Sequence, residues 1–191
     1  MASSIRPGSA LFALVLLLYP VLVYFSLGRV EPRVIGGLLL AVGAARLWQL
    51  RRSLAGQWLQ FAPLLAVGAV CGLAAMIFNN YSALRLLPAL NSAAWLIGFG
   101  YTLWRPPSMI ERFARLQNPQ LDARGVRYTR AVTQVWCGFF AINFIIALYT
   151  AGFSDFALWA LYNGCIAYVA MGVLFALEYW VRLQYLKRGV Q

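Results

Sequence analysis

The sequence predicts an all-α protein: a polytopic transmembrane helical bundle of six spans, with five as the alternative count, and a short interfacial helix in one large cytoplasmic loop. Three observations carry this. Of 191 residues, 62% are hydrophobic and 11% charged, whereas a soluble domain is nearer a quarter charged. Uncharged stretches cover 9–28, 53–84, 86–104, 131–154 and 156–177, and about 18 apolar residues suffice to cross a hydrocarbon layer of ~30 Å as a helix. The charge that remains is concentrated, with six arginines in "WRPPSMIERFARLQNPQLDARGVRYTR", 104–130.

The first span is expected over 9–28. Arg6 followed by an apolar run suggests a signal peptide, but the run exceeds a usual h-region of ~7–15 residues and no Ala-x-Ala site follows, so it reads as a retained span kinked at Pro20. The second, 34–50, is interrupted by Arg46, whose guanidinium can snorkel to the interface. If this segment is re-entrant or interfacial instead, the count falls to five. The remaining spans are expected at 59–78, 86–104, 131–153 and 156–178, so that 1–191 forms a single integral membrane domain. Gly68-x-x-x-Gly72 in the third, with Gly36, Gly37 and Gly43 in the second, lets helices approach closely. The tryptophans fall mostly near span ends, where an aromatic belt accounts for them.

Arginine and lysine near span ends accumulate on the cytoplasmic side. With six spans the inner side receives 13 of them and the outer side 3; with five spans the division is 14 against 2. Both counts put the 105–130 loop and the C-terminus on the cytoplasmic side. The side of the N-terminus stays open. The net charge of +11 is scattered over span ends rather than gathered in a basic domain, which argues against nucleic acid.

Within the loop, "SMIERFARL" places Met109, Ile110, Phe113 and Leu116 at helical spacing, with Glu111, Arg112 and Arg115 on the other side. Such a segment lies in the interface with its apolar side among acyl chains. Pro106 and Pro107 end the fourth span and start this helix, and "NPQLDARG" is a connector. Two readings stay open. The segment is an amphipathic linker, or it is a docking surface on which Arg112 and Arg115 meet anionic lipid headgroups or an acidic partner while Met109, Ile110 and Phe113 embed.

The chain has no histidine and five acidic residues, so zinc sites and Ser-His-Asp chemistry are not expected. No glycine-rich phosphate loop occurs, and the three cysteines lack CxxC spacing. No metal, cofactor or catalytic residue is therefore expected. The candidates inside the membrane are polar: Asn91, Asn143, Asn163, Tyr162 and Glu178. Charged groups at that depth are functional candidates, while the ordinary role of such amides is interhelical hydrogen bonding. Asn163 and Glu178 can face the same side of a helix but lie roughly 22 Å apart along it.

Three pieces of the chain resemble the intracellular septation protein A family of small inner-membrane proteins linked to envelope maintenance. They are "LYPVLVYF" at 18–25, "RPPSMIER" at 105–112 and "VWCGFFAINF" at 135–144, the second one residue off the family's spacing around Arg112. Residues 107–187 more closely resemble an uncharacterised proteobacterial inner-membrane protein family, commonly encoded among genes for aryl-polyene-type, fatty-acid-like biosynthesis. That resemblance implies a non-enzymatic protein that organises or anchors envelope or acyl-lipid synthesis machinery, with membrane lipids and a cytoplasmic or membrane protein as partners. The alternative is a small transporter or flippase for an acyl lipid, with Asn91, Asn143, Asn163 and Tyr162 lining the path.

Overall fold

The structure, a computed structural model, describes residues 30–53 and 62–187. The expected first span, 9–28, lies outside the described residues. Every described element is helical: α1 (Pro32–Ser53), α2 (Ala62–Phe78), α3 (Tyr81–Trp104), α4 (Met109–Gln117), α5 (Ala123–Phe153), α6 (Phe156–Leu161) and α7 (Ala167–Lys187). A π-helical turn, Tyr162–Ile166, joins α6 to α7 without a break. Among the described residues, three runs are long and apolar enough to cross a membrane: Tyr81–Trp104, Ala123–Phe153 and Phe156–Tyr185. α1 and α2 contain shorter apolar stretches, Pro32–Ala45 and Leu65–Phe78.

The helices run past the expected apolar limits because capping residues, not hydropathy, set helix ends. α3 starts at Tyr81 rather than 86, since Asn80 accepts from the Ser82 backbone N–H at 2.8 Å and satisfies an orphan donor of the first turn. α5 starts at Ala123 rather than 131, since the Asp122 carboxylate accepts from Gly125 N at 2.7 Å. Asp155 does the same for α6, accepting from Leu158 N at 2.7 Å. Carboxylates at these positions also complement the positive end of the helix dipole. Between α2 and α3, Asn79 adopts a φ of 47°, the left-handed conformation that Asn tolerates better than other non-glycine residues just past a helix C-terminus.

Residues 32–152 form one compact unit. In it α2 packs against both α1 and α3. A Cβ on Gly36 would stand 2.5 Å from the Gly72 carbonyl, and one on Gly72 3.0 Å from the Gly36 carbonyl. The backbones touch at this crossing, and Leu40 reaching Gly72 while Ala75 and Met76 reach Gly36 makes the pair antiparallel. The other expected packing glycines, Gly37, Gly43 and Gly68, have open space where a Cβ would go. They face away from the crossing.

α3 and α5 pair along an antiparallel seam. The side chains that α5 buries (Thr129, Thr133, Trp136, Phe140, Ala147 and Thr150), with half-buried Asn143 between Phe140 and Ala147, recur at alternating steps of four and three, the spacing that keeps one stripe facing a neighbouring helix. Arg85 is bonded to Thr150, Ser92 to Asn143, and Trp95 is stacked on Phe140 at 6.1 Å. Each advance along α3 is matched by an equal retreat along α5. Trp95, Phe99, Trp136, Phe139 and Phe140 form one ring cluster with edge-to-face, tilted and stacked contacts at 5.3–6.1 Å. Such pairs contribute about 0.5–1.5 kcal/mol each beyond burial. Trp95 and Trp136 are thus seam residues, and Trp159 is fully buried. The belt reading fits Trp48, Trp104 and Trp180, which are exposed.

The helical run from Phe156 belongs to a second unit. It continues nine residues beyond the expected end at 178, to Lys187.

Candidate functional site

The seam ends on the loop side in two buried threonines. Thr102 sits in the last turn of α3 and Thr133 one turn before Trp136 in α5. Each hydroxyl donates to a carbonyl of its own helix, Thr102 to Phe99 O at 2.7 Å and Thr133 to Thr129 O at 2.8 Å. That leaves the oxygen lone pairs free to accept. Met109 N donates to Thr102 Oγ1 at 2.9 Å and Ile110 N to Thr133 Oγ1 at 3.3 Å. These are the first two N–H groups of α4, which have no partner inside their own helix. α4 is therefore held at its N-terminus by one hydroxyl from each of the two seam helices.

Two further contacts hold α4. Glu111 is only 5% exposed; its carboxylate accepts from Ser108 N at 3.3 Å, closing the turn before the helix as in a capping box. The other oxygen takes Arg115 Nε at 2.9 Å and Nη2 at 2.7 Å. Arg115 Nη1 also donates to Pro119 O at 3.2 Å, tying the helix C-terminus to the connector.

The orientation of α4 is the reverse of an amphipathic helix on a water-soluble protein. The charged side of Glu111 faces inward. Phe113 is 51% exposed and Leu116 79% exposed, with exposed Arg112 beside them. Met109 and Ile110 are half-buried. Arg112 turns its Nε to Pro107 O at 2.9 Å, and Arg105 lies over the Trp104 ring at 5.2 Å. Of the five expected loop contacts, Phe113 and Arg112 point outward, Met109 and Ile110 contribute backbone donors to the docking, and Arg115 is engaged within the protein.

The polar residues expected inside the membrane are divided between the two units. Asn91 is exposed on α3. Asn143 donates from Nδ2 to Ser92 Oγ at 2.8 Å, and Ser92 in turn donates to Pro88 O at 2.9 Å, so the amide braces α3 at its internal proline. In the second unit, Asn163 is buried within the π-helical turn and donates to Trp159 O at 2.9 Å, with half-buried Tyr162 beside it. Glu178 is half-buried in α7. At the far end of the seam Arg85 Nη2 donates to Thr150 O at 2.7 Å, one of the last carbonyls of α5, where a cation also suits the negative helix end. Among the described residues, no three His, Cys, Asp or Glu side chains gather in a metal-holding group.

Thr102, Thr133 and Ser92 were not among the residues expected to matter. Their signal was present: each falls on the three-and-four stripe shared with Trp136, Phe140 and Phe99. Comparison with family models, with curated proteins and with solved structures finds no match to this chain. What fold and site define is a class, a helical membrane protein with a docked amphipathic loop helix.

Proposed function

We propose that this chain is a non-enzymatic integral protein of a bacterial inner membrane, which anchors or organises envelope or acyl-lipid synthesis machinery through α4. The observation that carries this reading is the polarity of α4: Glu111 inward, Phe113 and Leu116 outward, with Arg112 at their edge. An apolar side turned away from the protein and flanked by a cation suits the boundary between headgroups and acyl chains. The distribution of arginine and lysine, 13 against 3, supports a cytoplasmic side for this loop and for the C-terminus. The likeness of 107–187 to the aryl-polyene-associated family is the ground for naming acyl-lipid synthesis as the machinery. Anionic headgroups and a cytoplasmic or membrane protein are the partners in this reading.

The test is purification from the native membrane with mass spectrometry of the proteins carried along, for the wild type and for Arg112→Glu combined with Phe113→Asp. Arg115 is left intact because it holds α4 in place. Partners that vanish in the variant, while the variant stays in the membrane, support the reading. The same partners in both samples sink it.

A second reading, a small acyl-lipid transporter, draws on one observation. The π-helical turn with buried Asn163 lies within a helical run long enough to cross a membrane, and π-bulges occur often at functional sites. That reading expects Asn163→Leu to abolish lipid movement in reconstituted vesicles at unchanged protein level.

A further inference from the structure

α5 begins outside its apolar stretch and carries a continuous exposed face along its length. Arg127, Arg130, Gln134, Gly138, Ile142 and Ile145 succeed one another on it at steps of three and four, and every one of them is exposed. The face is graded. Two guanidiniums stand at the start, an amide follows one turn later, then a residue without a side chain, then apolar groups. Arg130 and Ile142 are separated by about 18 Å along the axis. The interval at Gly138 is a notch, because a Cβ there would meet nothing within 4 Å. Exposed Val135 and Ile142 border it on successive turns.

We infer that this face is a binding site for one anionic phospholipid, its phosphate held by Arg127 and Arg130, its ester region beside Gln134 and an acyl chain lying in the notch at Gly138. The order of chemistry along the face matches the order along such a lipid: anion, polar ester, hydrocarbon. A planar guanidinium presents paired donors to phosphate oxygens, which a lysine does not. The notch distinguishes the site from a mere ring of charges, since it lets a chain approach the helix backbone. An acidic protein segment would find the two arginines but would gain nothing from the apolar half of the face. The site rests on α5 crossing the membrane; it is independent of what α4 holds.

The experiment is native mass spectrometry of the detergent-purified full chain with added phosphatidylglycerol or phosphatidylcholine of the same acyl chains. The wild type is expected to retain phosphatidylglycerol in preference to phosphatidylcholine. Arg127→Gln with Arg130→Gln is expected to weaken that retention more than tenfold, from roughly fivefold per cation near a lipid surface. Gly138→Phe, which fills open space and leaves both arginines in place, is expected to weaken it too. Arg33→Gln, an exposed arginine on α1 with no part in this face, is expected to leave it within about twofold. Unchanged retention in the double variant, equal retention of the two lipids, or an equal loss in Arg33→Gln overturns the site. A chain that washes off membranes in carbonate overturns the membrane reading as well, whereas a membrane-bound chain indifferent to the lipid overturns this site alone.

Discussion

Thr102 and Thr133 lie on different helices yet accept hydrogen bonds from adjacent backbone N–H groups, those of Met109 and Ile110. The pair converts the end of a helix seam into a seat for a third helix. A loop helix that relied on lipid alone would be free to tilt and slide. Here its start is fixed to the two helices whose registration also depends on Trp95, Phe99 and Phe140.

Replacing Thr102 and Thr133 by valine keeps their shape and removes the acceptors. Each loss is expected to cost about 1 kcal/mol of docking, the usual net worth of such a bond. Hydrogen exchange is the measurement: the Met109 and Ile110 amides should exchange roughly fivefold faster per substitution, with the α3–α5 seam unchanged. Unaltered protection at those two amides counts against the seat.

Glu111 and Arg115 form an i,i+4 pair with the carboxylate buried and the arginine side chain 39% exposed. Helical pairs of this kind contribute about 0.3–0.5 kcal/mol when exposed, so the pairing is a small term. Loss of the buried acceptor is the larger one, since Ser108 N also depends on it. Glu111→Gln, which keeps an acceptor, should therefore destabilise α4 less than Glu111→Ala, by proteolysis within 105–122. Equal cleavage of the two variants would show that the carboxylate serves only its salt bridge.

Gly36 and Gly72 meet backbone to backbone, whereas Gly68 faces open space. Gly36→Ala forces a methyl group to within 2.5 Å of the Gly72 carbonyl and is expected to lower the thermal midpoint by several degrees, an overpacking cost of about 1–3 kcal/mol. Gly68→Ala should leave the midpoint unchanged or raise it, through helix propensity. Comparable loss from both substitutions would mean that the crossing lies elsewhere.

Asn143 and Ser92 join α5 to α3 at the turn after Pro88. Interhelical bonds of this type in membranes average about 0.6 kcal/mol, so neither Asn143→Leu nor Ser92→Ala should unfold the protein. Their effects should be less than additive, because either change removes the same bond. Full additivity in a double-mutant cycle would show that the two side chains act independently. A loss of activity at full stability in Asn143→Leu would favour a transport path over a brace.

The sequence by itself determined the class and much of the local structure. A long uncharged run is confined to a helix in lipid because each of its backbone polar groups must be satisfied within the run, and α3, α5 and the run from Phe156 follow that rule. "SMIERFARL" was readable as a helix because its period is local, whereas the starts of α3 and α5 were placed too late because Asn80 and Asp122 cap them outside the apolar runs. Where helices touch is a relation between distant positions, and periodicity along one helix does not name its partner. Gly36 and Gly68 look alike in sequence, yet only Gly36 lies where two axes cross. Arg115 looks as available as Arg112, but the buried Glu111 carboxylate takes it because burying an anion without a partner is costly. Thr102 and Thr133 became a site only when the seam between α3 and α5 ended both of them beneath the start of α4.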